Sequence, residues 1–321
     1  MTVSFKDVTS AARRISGLVH RTPIFSSERL NQETGLSLFF KSEHLQKVGA
    51  FKTRGAVNAV YSLDKSRLKQ GVATHSSGNH GAALARAGVM KEIPVNVVVP
   101  SDARQVKKDA IVAYGARIIE CEPALTARQA ALGQVIADTG ATFIHPYDDN
   151  EIIAGAGTAA MEFVEQVKDL DVIVTPIGGG GLLAGSALVS EVEGIRVYGA
   201  EPAGADDAAR SLKSGVRVLE HVPDTLCDGL LTTVGERNWG VIQHRVEDIL
   251  VASDDDTVAA MYLIWTRMKQ IVEPSSAVCL AAILKAKNLF AGQRIGVILT
   301  GGNVDLADLP FQIGNKSGYL T

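Results

Sequence analysis

Short runs of β-branched and apolar residues recur along the chain: "LSLFFKSE", "GVATHSS", "VNVVVP", "ARIIECE", "ATFIHP", "DVIVTPI", "RVYGAE", "DILVAS" and "RIGVILTGG". Most are nearly continuous in apolar character rather than alternating, the pattern of strands buried on both faces of a sheet. Segments of helical length stand between most of them, among them "GNHGAALARAGVM", "DARQVKKDAIVAYG", "TARQAALGQVIADTG" and "TVAAMYLIWTRMKQIV". This alternation predicts an α/β fold of parallel sheets with helices on both faces. Three strands run out into small or polar residues that lead straight into the next segment: "HSSGNHGAA", "PIGGGGLLAG" and "LTGGNVD". In such folds ligands bind outside the carboxyl ends of the strands, so chemistry is expected at these turns. "SDDDT", at 253–257, reads as a helix N-cap with acidic residues in the first turn and is given no function.

Composition narrows the partners. With 321 residues, 46% of them hydrophobic, the chain can bury a full core as one large domain or two lobes. The 32 basic and 35 acidic residues leave a net charge of -3, with no global pull toward nucleic acid or anionic membrane, so a small molecule is the expected partner. "MTVSFKDVTSAARRI" lacks the apolar core of a signal peptide and no apolar run is long enough to span a bilayer, so a cytoplasmic protein is expected. Cys121, Cys227 and Cys279 lie far apart and form no CxxC spacing, and the histidines form no HExxH pattern, which argues against a disulfide framework or a zinc site.

The stretch "VGAFKTRGAVNAV" sets Lys52 and Arg54 among small and apolar residues. Charged side chains are rarely buried without a partner. Either both point to solvent from the start of a helix, or the amine of Lys52 is condensed with a carbonyl cofactor. Four consecutive glycines, Gly178, Gly179, Gly180 and Gly181, join the strand "DVIVTPI" to the helix "LLAGSALVSEV". Exposed backbone N–H groups at a helix N-terminus make a phosphate cradle there. A rival reading takes Gly179, Gly181 and Ala184 as G-x-G-x-x-A, with Glu201 as the ribose-binding acid of an NAD-dependent oxidoreductase. That reading leaves Lys52, "SSGNHG" and "TGGNVD" without a purpose.

Six motifs in order, "FKTRGA", "SSGNHGAALA", "GGGGLLAG", "AEPAGADD", "EPSSAV" and "TGGNVD", resemble those of the fold type II pyridoxal-phosphate enzymes. The likeness, from about Val19 to Leu306, is to the branch of serine/threonine dehydratases, serine racemases and 3-hydroxyaspartate ammonia-lyases. It implies two parallel-sheet lobes of the tryptophan synthase β type. Residues 1–69 and 148–321 would form a large cofactor-binding lobe, and 70–147 a small mobile one. It also implies roles for single residues. Lys52 would form a Schiff base with pyridoxal 5'-phosphate, with Phe51 against the ring. Gly178 to Gly181 and the Leu182 amide would hold the phosphate, Asn79 the ring hydroxyl and Thr300 the pyridine nitrogen, with Gly229 near the ring.

The chemistry follows from those roles. Lys52, freed when a substrate amine replaces it, would take the proton from Cα. A hydroxyl such as Thr300 cannot keep the pyridine nitrogen protonated as a carboxylate would, which favours prompt loss of a β-substituent and yields a 2-oxo acid and ammonia. Ser77 would act on the opposite face, while Ser76, Asn79 and His80 would meet the substrate α-carboxylate. Arg128 stands where a dicarboxylate is held in similar enzymes, and its bidentate fork suits that task. Thr232 matches another substrate-side hydroxyl. Glu201, the Ala205 carbonyl and Asp207 match a divalent-cation site, Mg²⁺ foremost and Ca²⁺ or Mn²⁺ also suitable.

The leading expectation is dehydration of 3-hydroxyaspartate by a homodimer, with serine or threonine dehydration and serine racemisation as alternatives. Ala82 and Val48 depart from the glutamine and threonine of the animal racemases, which tells against activation by ATP, and Tyr147 replaces a polar residue near the cofactor. With no regulatory domain following residue 321, allosteric control of the biosynthetic kind is not expected.

Overall fold

The computed structural model describes residues 2–76, 78–103 and 105–311. Its strands are β1 (Ile24–Phe25), β2 (Ser37–Lys41), β3 (Val72–His75), β4 (Val95–Pro100), β5 (Arg117–Cys121), β6 (Thr142–Phe143), β7 (Val172–Pro176), β8 (Arg196–Pro202), β9 (Asp248–Ala252) and β10 (Arg294–Ile298). They form a six-stranded sheet ordered β1-β2-β10-β7-β8-β9 and a four-stranded sheet ordered β5-β4-β3-β6. All pairings within the two sheets are parallel except β1 on β2. The nine predicted strands are all present. β1, two residues long, is too short to leave a periodic signal.

The helices are α1 (Phe5–Ile15), α2 (Glu28–Thr34), α3 (Lys52–Ser62), α4 (Lys65–Gln70), α5 (Asn79–Met90), α6 (Gln105–Ala113) and α7 (Leu125–Thr139). After them come α8 (Asn150–Gln166), α9 (Gly181–Glu193), α10 (Asp207–Ser214), α11 (Glu236–Arg245), α12 (Asp254–Leu263) and α13 (Pro274–Lys285). One core joins α1, α8, α9 and α11 to the large sheet, and a second joins α12 and α13 to its other face. The small sheet has α5 on one face and α7 on the other. Burial on both faces accounts for the unbroken apolar character of β4 and β7, in which every residue is buried.

Two local expectations change. The helix read through Val272 stops earlier, because a π-helical turn over Ile264–Met268 leads to Lys269 in the left-handed region, at φ 58°. The Trp265 indole then donates to Val272 O at 3.1 Å, fixing the reversed chain. Arg54 does not reach solvent. It is fully buried, its guanidinium donating to both oxygens of Glu43 at 2.7 Å and to both of Glu162 at 2.8 Å. Lys41, also fully buried, donates to Glu162 at 2.8 Å. Two cations face two carboxylates, so no net charge is left in the core. The cluster fastens the start of α3 to α8 and to the segment after β2.

Candidate active site

Parallel strands send their carboxyl ends one way, and here β3, β7 and β10 deliver three turns to one cleft between the sheets. The Phe51 N–H donates to Thr300 O at 2.9 Å, and Ala50 forms a bridge with Gly301, so the start of α3 is joined to the end of β10. Lys52, the first residue of α3, therefore points its amine into the cleft, where Nζ donates to Pro146 O at 3.0 Å. Burial pulls its pKa down to about 8, partly offset by the negative charge of Glu273.

The four glycines behave as a cradle. Gly180 takes the left-handed conformation, φ 92°, at the N-cap of α9. Among the described residues, nothing accepts from the backbone N–H groups of Gly178 through Leu182. A Cβ at Gly178 would lie 2.9 Å from Leu230 Cα, and one at Gly179 only 2.2 Å from Cγ of Tyr147. Side chains are excluded while donors stay open, which fits a phosphate group.

On the opposite wall, Asn79 at the start of α5 donates to both oxygens of Glu273, at 3.1 and 3.3 Å, and accepts from Asn303 Nδ2 at 2.8 Å. Burial, with Asp228 adding like charge, raises the Glu273 carboxyl to about 7. Thr300 is buried with its hydroxyl 2.9 Å from that of Ser276, and the Gly229 N–H donates to Ser275 Oγ at 3.0 Å. A cavity of about 480 Å³ adjoins this wall, and Lys107 and Asp228 pair across it, one from each side of the cleft.

The small-sheet rim is rich in neutral imidazole. His80 is buried against the Ile144 backbone, to which its ring hydrogen-bonds, and burial together with the Lys52 charge keeps it unprotonated. Burial also lowers His145 to about 4, and its Nδ1 accepts the N–H groups of Tyr147 at 3.3 Å and Asp148 at 2.9 Å. Ser76 ends β3, its N–H donating to Val98 O at 3.1 Å, whereas Ser77 lies outside the described residues. Arg128, on α7, has a buried Nε without a hydrogen-bond partner among the described residues, and its charge reinforces the burial that lowers His75. Thr232 is exposed beside the Tyr147 hydroxyl.

Glu201, Ala205 and Asp207 lie apart from this cleft, at the end of β8 and the start of α10. Glu201 accepts the N–H groups of Ala208 at 3.1 Å and Ala209 at 2.9 Å, and burial beside Asp207 raises it to about 9. Asp207 Oδ2 accepts from Val234 N–H at 3.2 Å, its Oδ1 lies 3.6 Å from His221 Nδ1, and burial raises the carboxyl. Among the described residues no group of three or more His, Cys, Asp or Glu is arranged to hold a metal. Two buried carboxylates and the neighbouring Ala205 still suit an oxygen-liking cation.

Sequence reasoning passed over Glu273, Asn303 and Pro146. Glu273 and Asn303 sit inside motifs already singled out, "EPSSAV" and "TGGNVD". Their signal was a carboxylate and an amide next to turns aimed at the cofactor side. Pro146 acts through its carbonyl, which no side-chain pattern reveals.

A lysine at a helix start, an open run of glycines and a two-sheet α/β frame suit a pyridoxal-phosphate site, and the chain belongs to the family of pyridoxal-phosphate dependent enzymes, whose family model matches residues 15–301. It is 49% identical over 310 residues, 96% of this chain and 98% of the relative, to a beta-hydroxyaspartate dehydratase of Paracoccus denitrificans (strain Pd 1222). It is 40% identical over 316 residues, 98% of this chain and 97% of the relative, to the L-threo-3-hydroxyaspartate ammonia-lyase of Saccharomyces cerevisiae (strain ATCC 204508 / S288c). The crystal structure of serine racemase from Dictyostelium discoideum superposes with a TM-score of 0.90 at 46% identity, covering 95% of this chain and 100% of that one. The NAD reading is thereby overturned, and Glu201 instead receives the Ala208 and Ala209 N–H groups at the N-terminus of α10.

Proposed function

We propose that this protein is a pyridoxal-phosphate-dependent dehydratase of β-hydroxy amino acids, with 3-hydroxyaspartate as its substrate. The observation that carries the dicarboxylate is Arg128, whose buried Nε has no hydrogen-bond partner among the described residues while its charge is felt at His75, next to Ser76. A guanidinium at that rim suits a second carboxylate. The names of the Paracoccus and Saccharomyces relatives agree with the choice.

The bound cofactor supplies an aldehyde for the substrate amine and a ring that draws electron density away from Cα. Everything else falls to the chain. Lys52, with a pKa near 8, holds a useful fraction of neutral amine at neutral pH and can accept the Cα proton. Ser76 and Asn79 would meet the α-carboxylate, with the neutral His80 beside them, and Arg128 takes the distal carboxylate. Thr300, linked to Ser276, offers the ring nitrogen only neutral hydroxyl groups. Loss of the β-hydroxyl as water converts 3-hydroxyaspartate to iminosuccinate, and addition of water then gives oxaloacetate and ammonia.

Serine racemisation is the second reading. It is favoured by the likeness to the Dictyostelium enzyme and depends on Ser77 acting from the opposite face. We further read Glu201, Ala205 and Asp207 as a structural site for Mg²⁺, the small lobe as mobile, and the working form as a cytoplasmic homodimer. The deciding experiment incubates the holoenzyme with each stereoisomer of 3-hydroxyaspartate and with serine and threonine, following ammonia, 2-oxo acid and enantiomer ratio. Ammonia release fastest from a hydroxyaspartate supports the proposal; no ammonia from any hydroxy amino acid ends it.

A further inference from the structure

Asn238, on α11, is fully buried behind the glycine run, its Cβ next to Gly180. Its Nδ2 donates to Gly179 O at 2.6 Å and to Tyr147 O at 3.1 Å. The Gly235 N–H adds a second bond to Gly179 O at 3.0 Å. Asn238 Oδ1 is buried without a hydrogen-bond partner among the described residues, and the amide is oriented by two carbonyls that both require a donor.

The consequence follows from peptide geometry. In a planar trans peptide the C=O and the next N–H point in opposite directions. Holding Gly179 O toward α11 therefore turns the Gly180 N–H away from α11, into the cradle. The peptide is flanked by glycine on both sides, and Gly180 sits at φ 92° and ψ -5°, so nothing intrinsic to the backbone prevents a flip. A flipped peptide would replace a donor with a carbonyl oxygen facing the phosphate.

We infer that Asn238 is a positioning residue that locks the Gly179–Gly180 peptide in its phosphate-binding orientation. The same amide also donates to Tyr147 O, a second contact that keeps it in place. Whichever hydroxy amino acid is consumed, this lock acts on the cofactor alone.

The test measures cofactor uptake by the apoprotein, by absorbance titration with pyridoxal phosphate and in parallel with pyridoxal, which lacks the phosphate. For Asn238→Ala the dissociation constant for pyridoxal phosphate is expected to rise about tenfold or more, with that for pyridoxal unchanged within about twofold. Asn238→Ser, whose hydroxyl can still donate once, is expected to fall between parent and alanine variant, and it carries the test alone if the alanine variant does not fold. Equal weakening toward both ligands, or no weakening toward either, would overturn the assignment, whatever the substrate panel shows.

Discussion

The carboxylate of Glu273 and the amine of Lys52 face the same buried cleft, and each is held near neutrality by it: burial raises the acid to about 7 and lowers the amine to about 8. The negative charge of Glu273 also works on Lys52, holding the amine pKa higher than burial alone would leave it. Near pH 7 a small change in either group shifts how much free amine the site presents.

Glu273→Gln tests this coupling. Without the negative charge the Lys52 pKa moves further down, so the pH profile for pyridoxal-phosphate uptake by the apoprotein shifts to lower pH. Stability gives the second readout. The folded acid titrates at about 7 instead of 4.5, so the folded state holds the proton longer. Parent stability therefore falls as pH rises from about 4.5 to 7, and this fall is absent from the variant. Chemical melts across that range check it.

Lys52 itself carries the opposite slope. Its folded pKa lies below the ordinary 10.5, so the folded state releases the proton first and stability rises as pH climbs from about 8 to 10.5. Apoprotein Lys52→Met is expected to lack that rise. Lys52→Ala is expected to abolish turnover and the visible absorbance of the holoenzyme.

Arg128→Ala separates substrates. Loss of a charge-assisted contact is expected to lower kcat/KM for 3-hydroxyaspartate by about tenfold to a hundredfold, while serine turnover stays within about threefold. Equal losses on both would refute the role given to Arg128.

Gly179→Ala probes the cradle by bulk. The new methyl would meet the Tyr147 ring at 2.2 Å from Cγ, so the ring has to give way. Weaker pyridoxal-phosphate binding with a displaced 145–148 loop is expected, seen by titration and by structure determination.

Arg54→Ala is a stability test. It would strand Glu43 and part of Glu162 without their guanidinium partner, and breaking a buried pair costs about 3–5 kcal/mol. Urea denaturation of the apoprotein measures it.

Much of this protein is legible in its own order of residues, because strand and helix patterns, glycine runs and turn residues act over a few neighbours. That locality explains why the predicted strands and the glycine run between β7 and α9 could be read directly, and why the two-residue β1 could not. Arg54 shows the limit. Its neighbours said only that a cation stood among small residues, and whether it met water or Glu162, 108 positions away, depended on how α3 packs on α8. Glu273 looked like one more acid before a helix until folding brought it to Asn79, 194 positions distant, and took it out of water. The sequence determined which chemical groups exist and the local elements that carry them; tertiary structure alone decided which of them lose water and which partners they meet, and those two factors set charge, proton affinity and the direction of each donor.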